Sequence, residues 1–439
     1  MPQQQSGWPL KKNGLGMVTK FGDLFLSQIP RKKLKNSDKV VFIGMQDVDE
    51  NATIRNFTVL DYAKVKNGFT YFEKNDVLVA KITPCFENGK GGFAEKITES
   101  VGFGSTEFHI LRAADNSDAR YVYYHTKRPK FRLLLEAEMV GSAGHRRVPY
   151  SAIQEFELEF RHSKEEQTAI ANALSDVDAL IAALEKVINK KSAIKTAAMQ
   201  QLLTGKKRLP PFDQLNTGYK QTELGEIPVD WELISLQNMV ASNGLVRGPF
   251  GGAIKKEHFT KTGYKVYEQR NAIYSNIEIG NYYIDQKKFD ELTRFSVSSG
   301  DFIVSCSGTI GRIYQIPEKY PKGVINQALL KITLNDSIDS KYFGHYFKWD
   351  VFQERITDGT QGGAMKNLVG MAEFKQSLMP LPKLKREQTA IANVLSDMDN
   401  DLEALQQRLH KTQQIKQGMM QELLTGKTRL VKTPGGAHE

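Results

Sequence analysis

The chain reads as an α+β protein with internal pseudo-twofold symmetry: two globular modules of mixed helix and strand, each followed by one long helix. Three observations predict this. A 44-residue segment, Glu166 to Leu209, recurs as Glu387 to Leu430 at a constant offset of 221 with 25 identities, and 221 is about half of the 439-residue length. Within that segment apolar residues recur at alternating spacings of four and three, the signature of a helix with one narrow apolar seam. Between the repeats, short alternating apolar runs are broken by Gly, Asn and Asp, which reads as strands and turns. A repeat fixes the architecture before any single element is assigned.

The repeated segment is a long helix. No proline or glycine occurs from Lys164 to Thr204. The first copy places Ile170, Leu174, Val177, Ile181, Leu184 and Ile188 in the seam. The second places Ile391, Leu395, Met398, Leu402, Leu405 and Leu409 there. Beyond these, a strict heptad would put Lys195 and Lys416 in the seam. The apolar stripe instead resumes at Ile194, Ala198 and Leu202, and at Ile415, Met419 and Leu423, so a phase shift shared by both copies is expected. Ser163 and Glu166 form a capping-box pattern at the first start, whereas Pro380 and Pro382 precede the second. Gly205 and Gly426 stop the helices, with Lys206, Arg208, Lys427 and Arg429 suiting their negative ends. About 40 residues make a rod of roughly 60 Å. So narrow a stripe suits pairing of the two helices; the alternative is two core helices in separate domains.

The remaining elements follow from this frame. Residues 1–160 form the first module and 161–205 the first long helix. Residues 206–222, with Pro210 and Pro211, are a linker. Residues 223–382 form the second module and 383–426 the second long helix. Residues 427–439 are a flexible tail. The modules resemble each other only faintly: Asn75 to Val79 matches Gly300 to Val304, Gly141 to Gly144 matches Gly359 to Gly362, and Phe156 matches Phe374. The helices have stayed alike while the modules diverged, which suits a common partner for the helices and different versions of one task for the modules.

Bulk properties narrow the function. Length points to two to four domains. No run approaches the roughly 20 apolar residues of a membrane span, and Met1 to Gln5 does not open a signal peptide. Cys85 and Cys306 stand alone, without Cys or His at metal-ligand spacing, so reduced cytoplasmic thiols and no metal are expected. A net charge of +10 favours a polyanionic partner. Catalytic motifs are missing. The only Pro-Pro, Pro210-Pro211, follows Leu209 and so cannot be the Asn/Asp-Pro-Pro-aromatic loop of an adenine methyltransferase. Gly426-Lys427-Thr428 ends like a phosphate loop, but Gln421 stands where its first glycine belongs.

The order of parts now matches a family. A variable module, a Glu-Gln-x-x-Ile-Ala helix ending Leu-Leu-Thr-Gly-Lys, then Leu224-Gly225-Glu226-Ile227-Pro228 and Trp231, a second module and a second helix resemble the specificity subunit of type I restriction-modification systems. The resemblance covers nearly the whole chain. It implies two target recognition domains, each reading one half of a bipartite asymmetric site in double-stranded DNA, held apart by two helices that form an antiparallel coiled coil. It implies a subunit without catalysis or cofactor of its own. Two adenine-N6 methyltransferase subunits and motor-endonuclease subunits would be its partners, and these would carry S-adenosylmethionine, ATP and Mg2+. A coiled-coil scaffold with two protein-binding modules, and a self-sufficient enzyme, are the other readings.

Candidate DNA contacts are polar and basic residues in Gly-rich loops, because base edges and phosphates are met by such side chains presented from loops or helices. In the first module these are Lys81, Thr83, Asn88 and Lys90, then Ser142, His145, Arg146 and Arg147, with a basic run at Arg31, Lys32, Lys33 and Lys35. In the second they are Arg247, Lys255 and Lys256, then Ser305, Ser307, Thr309 and Arg312, then Thr360, Gln361, Lys366 and Asn367. Any one of these can equally be a solvated charge or a turn residue. Tyr121, Tyr123 and Tyr124 read as core rather than as base-stacking residues.

Overall fold

The structure is a computed structural model that describes residues 19–142, 144–215, 218–250, 252–358 and 367–430. It divides into two units. The first combines Met1–Glu185 with Arg408–Glu439, and the second is Lys186–Gln407.

In the first unit, strands β1 (Lys39–Ile43), β2 (Thr58–Asp61), β3 (Thr70–Glu73) and β6 (Val101–Gly104) form a four-stranded sheet in the order β2-β1-β6-β3. Its β1–β6 pair is parallel. Strands β4 (Val77–Ala80), β5 (Gly91–Phe93) and β7 (Phe108–Leu111) form an antiparallel sheet ordered β5-β4-β7. Helices α1 (Ala119–Thr126), α2 (Pro129–Ala137) and α3 (Tyr150–Glu155) follow, then the long α4 (Lys164–Leu202).

The second unit repeats this plan. Strands β8 (Val240–Arg247), β11 (Phe302–Ser305), β12 (Ile313–Gln315) and β14 (Leu329–Leu334) form an antiparallel sheet ordered β8-β14-β11-β12. Strands β9 (Tyr264–Tyr267), β10 (Tyr283–Ile284) and β13 (Gly323–Ile325) make a second sheet whose β9–β13 pair is parallel. Helices α5 (Ser340–Lys348), α6 (Asp350–Ile356) and α7 (Met371–Gln376) lead to the long α8 (Lys385–Leu423).

Each module core closes around helix ends. Phe21, Phe131 and Ile153 bury Ile170 and Leu174 from the start of α4 together with Leu423 and Leu424 from the end of α8. In the second unit Trp231, Phe343 and Phe374 bury Ile391 and Leu395 together with Leu202 and Leu203. The beginning of one long helix therefore lies beside the end of the other in each unit, which is antiparallel pairing.

Both alternatives for the helices hold in part: each starts as a core helix of its module and continues as half of a pair. Along the pair, Leu184 is buried, and Val177, Ile181, Ile188, Met398, Leu402, Leu405 and Leu409 are half-buried. The expected phase shift is absent. Ile194 is 48% and Ile415 49% exposed, while Lys195 and Lys416 lie half-buried in the unbroken heptad. The reason lies on the opposite helix. In the second unit the Lys195 ammonium donates to Asp399, and in the first the Lys416 ammonium meets Asp178 at 2.5 Å. A lysine's aliphatic stem packs along the seam while its head reaches a carboxylate.

Gly205 and Gly426 end the helices in the left-handed region, each with φ of +71°. A side chain at Gly205 would meet Pro228 and Trp231, and one at Gly426 would meet Phe160, so both the backbone and the packing require glycine there.

Candidate nucleic-acid interface

The identical residues of the repeat fasten each module to the helices. The Gln167 side-chain oxygen accepts from the Asp118 N–H at 3.0 Å, and Gln388 does the same for Asp339 at 2.8 Å. Asp118 and Asp339 cap α1 and α5 through their side chains. They also accept from the Thr168 and Thr389 hydroxyls. Tyr124 donates to Asp178 at 2.9 Å; at the same place in the second unit, His345 lies 2.9 Å from the Ser396 hydroxyl and 3.6 Å from Asp399. All these pairs obey the offset of 221, so the repeat reaches back to Asp118. Tyr121 and Tyr124 are buried core residues.

The first module brings its two candidate clusters together. β4 runs into the 81–90 loop. The Thr83 N–H donates to the Arg146 carbonyl at 2.9 Å, and the Val148 N–H donates to the Lys81 carbonyl at 2.9 Å. Bridges join Ile82 and Val140 to Arg147. Ser142 and His145 are exposed at the turn between.

Several candidates are already engaged. Thr83 donates to Glu87 at 2.6 Å, Asn88 to Glu50 at 3.2 Å, and Lys90 to the Met45 carbonyl at 3.3 Å. Arg147 forms an ion pair with Glu107 at 2.8 Å, and Arg146 lies 3.6 Å from Glu87. Arg147 beside Glu107 holds that carboxyl below its usual range. In the basic run, Lys32 meets Glu73 at 2.6 Å and Arg31 lies over the Tyr71 ring.

Sequence reasoning missed Arg132. Its guanidinium donates to the carbonyls of Thr126, Phe86 and Gly89 at 3.1, 3.1 and 3.3 Å, and stacks 4.8 Å from the Phe86 ring centre. Burial pulls it down to about 10. It positions the 81–90 loop from beneath, a role no spacing in the sequence announces.

In the second module, three loops leave one end of the β8-β14-β11-β12 sheet. Arg247 ends β8 opposite Leu330, and the Gly248 N–H donates to the Leu329 carbonyl at 2.9 Å. The Cys306 N–H donates to the Ala328 carbonyl at 2.9 Å, as the Lys81 N–H donates to the Glu107 carbonyl at 2.9 Å in the first module. The 81–90 and 306–312 loops thus leave equivalent strand ends. Ser305 is fully buried and ties its loop internally, accepting from the Arg312 N–H at 3.0 Å and donating to the Thr309 carbonyl at 2.6 Å. Ser307, Thr309, Arg312, Arg247, Lys255 and Lys256 are exposed, with Lys255 3.7 Å from Glu257. Arg312 also lines a cleft of about 230 Å³ with Ser275, Lys348 and Gln353. Thr360, Gln361 and Lys366 lie outside the described residues, as does the Asn367 side chain. The Asn367 backbone pairs with Asp358, between α6 and α7, as Val140 pairs with Arg147 between α2 and α3.

The model of the type I restriction modification DNA specificity domain matches residues 17–195 and again 228–417. The chain belongs to this family. It is 35% identical over 115 residues to the type I restriction enzyme EcoAI specificity subunit of Escherichia coli, covering 26% of this chain and 20% of that one. It is 26% identical over 277 residues to the MjaVIII specificity subunit of Methanocaldococcus jannaschii, covering 61% of each. The chain thus spans about a fifth of one of these relatives and under two thirds of the other. The fold is like that of the type I restriction-modification S subunit from M. genitalium, with a TM-score of 0.54 at 17% identity over 94% of this chain and 98% of that one. Among the described residues, no helix is long and apolar enough to cross a membrane.

Proposed function

We propose that this chain is the DNA-reading specificity subunit of a type I restriction-modification complex and performs no catalysis itself. Each module reads one half of a bipartite, asymmetric site in double-stranded DNA through the loops at its strand ends. The observation that carries the reading is the pair of equivalent loops, 81–90 and 306–312: the same strand end presents different residues in the two modules. Two unlike readers on one repeated frame suit two unlike half-sites. The number of helix residues between them sets the half-site spacing. Lys81, Arg146 and Arg147 in one module, and Arg247, Lys255, Lys256 and Arg312 in the other, supply the phosphate-binding charge.

The long helices dock two copies of an adenine-N6 methyltransferase subunit, and motor-endonuclease subunits join that complex. S-adenosylmethionine, ATP and Mg2+ belong to these partners. Two positions support twin docking. Ile194 and Ile415 are identical apolar residues kept equally exposed in both copies, and Lys190 and Lys411 lie one turn before them on the same face.

The test is a module exchange. Residues 1–160 are replaced by those of a relative, the methyltransferase complex is assembled, and methylated sites are mapped. One half-site changes and the other persists if the reading is right. Change in both halves, or in neither, refutes it.

A further inference from the structure

Phe250 is 94% exposed, more than any other large apolar side chain among the described residues. In the first unit the most exposed aromatic described is Phe69, at 38%. Leaving a benzyl group in water is unfavourable relative to burying it, so its placement calls for an occupant.

The chain is seated at Gly248 before it and at Ala253 after it. Gly248 is pinned against the next loop: a Cβ there would lie 1.8 Å from the Asn326 carbonyl oxygen, so no other residue fits. Pro249 fixes its own φ. On the far side the Ala253 N–H donates to the Phe250 carbonyl at 2.9 Å. Ala253 and Ile254 then pack against the apolar cluster of Val266, Ile284 and Val324. The ring is thus held out from an anchored base rather than left on a loose tail.

The surroundings choose the partner. Arg247, Lys255 and Lys256 flank Phe250 along the chain, no acidic residue occurs from Val240 to Lys256, and Glu257, the next residue, lies 3.7 Å from Lys255. The loop leaves the same end of the sheet as the loop of Ser307, Thr309 and Arg312. An apolar ring among cations, beside a polar reading loop, matches a stacked, anionic polymer better than an apolar protein face. We propose that Phe250 stacks on, or wedges into, a base step of the half-site read by the second module, with Arg247 and the two lysines on the flanking phosphates. This rests on the DNA-reading function proposed above. The first module shows no comparable ring among its described residues.

The experiment uses the full chain assembled with its methyltransferase subunits and a duplex selected by the wild-type complex from a random pool. 2-Aminopurine is placed at successive positions, and affinity and fluorescence are measured for the wild type, Phe250→Ser and Phe250→Trp. The expected result is a fluorescence rise at one step of the second module's half-site with wild-type protein. That rise is lost in Phe250→Ser, whose affinity falls about 5- to 150-fold, and both are restored in Phe250→Trp. Unchanged affinity and fluorescence in Phe250→Ser overturn the wedge and leave DNA reading intact. Failure of the wild-type complex to select any duplex overturns the DNA-reading function itself. Loss of methyltransferase assembly in Phe250→Ser, with DNA affinity kept, makes Phe250 a protein contact and also overturns the proposal.

Discussion

The repeat places one ion pair in two environments, which makes a controlled experiment of Arg208→Ala against Arg429→Ala. Arg208 grips Glu387 with two bonds of 2.8 Å, Asp230 at 3.1 and 2.9 Å and the Leu215 carbonyl at 3.1 Å. Its side chain is 6% exposed and that of Glu387 only 2%. Removing the guanidinium strands a carboxylate that water cannot easily reach, a loss of about 3–5 kcal/mol. Arg429 grips Glu166 just as closely, at 2.7 and 2.6 Å, but its own side chain is 38% exposed. The Glu166 side chain is itself only 1% exposed, but the exposed guanidinium is what covers it, so removing Arg429 should let water reach the carboxylate and leave about 1 kcal/mol at stake. For units of this size each kcal/mol moves a midpoint by roughly 2–4 °C. Calorimetry of the full chain should therefore show a drop of roughly 6–20 °C for Arg208→Ala and roughly 2–4 °C for Arg429→Ala. Adding Glu387→Gln to Arg208→Ala removes the stranded charge and should recover part of the loss. Equal drops for the two arginine variants, or no recovery in the double variant, would refute the argument from burial.

Three further outcomes follow from the same geometry. Gly418 lies inside α8 with open space where a Cβ would go, and Ala197 fills the equivalent place in the first copy; Gly418→Ala should add about 0.5–1 kcal/mol in urea unfolding, and a loss of stability would contradict the helical assignment there. Burial pushes His345 down to about 4 from its ordinary 6.5. The unfolded chain therefore binds more protons between those values, and stability falls as pH drops from 6.5 towards 4, by up to about 3 kcal/mol. His345→Tyr, which copies Tyr124, should flatten that limb, and an unchanged slope between pH 7 and 4.5 would count against it. Arg146→Glu should weaken DNA binding of the assembled complex and lower the magnitude of its salt slope by at least about 1, as should Arg312→Glu; slopes equal to wild type would remove both residues from the interface.

The fold was legible where the signal is local. Helix periodicity, the stop glycines and the alternation of short strands depend on near neighbours, and all were readable. Lys195 and Lys416 were not. Counting apolar residues along one helix favours Ile194 and Ile415, whereas the choice is made by Asp399 and Asp178 on the other helix. The candidate loops divide in the same way. Their glycines and cations announced them, but the joining of the 81–90 and 140–147 loops depends on the pairing of Ile82 with Arg147, and the exposed ion pair of Arg147 with Glu107 also joins residues remote in sequence. Asp118, Tyr124 and their counterparts were within reach, because carrying the offset of 221 back from Glu166 finds them. Phe250 was visible as an apolar residue between Pro249 and Gly251 but had no burial to mark it as unusual.

The loops proposed to read DNA alternate with fastening residues along each module, and this governs how modules can be exchanged. In the first, the 81–90 loop is followed by the fastening helix α1 and then by the second loop at 140–147. No single cut before α1 carries both loops, so a transplant of residues 1–160 also brings the donor's α1 onto the host's α4. That junction is polar and partly buried: Gln167 and Thr168 meet Asp118, and Asp178 meets Tyr124. A donor with an apolar residue at position 118 would leave the Thr168 hydroxyl and the first turn of α1 unsatisfied, at about 1–3 kcal/mol. A donor with Tyr or His at position 124 can complete the Asp178 network, since the two copies in this chain already use both residues there. The identities within the repeat are thus accounted for largely by the need to hold any reader in one orientation. What that need leaves unexplained, chiefly Ile194 and Ile415 with Lys190 and Lys411, is what remains for the proposed methyltransferase partner to recognise.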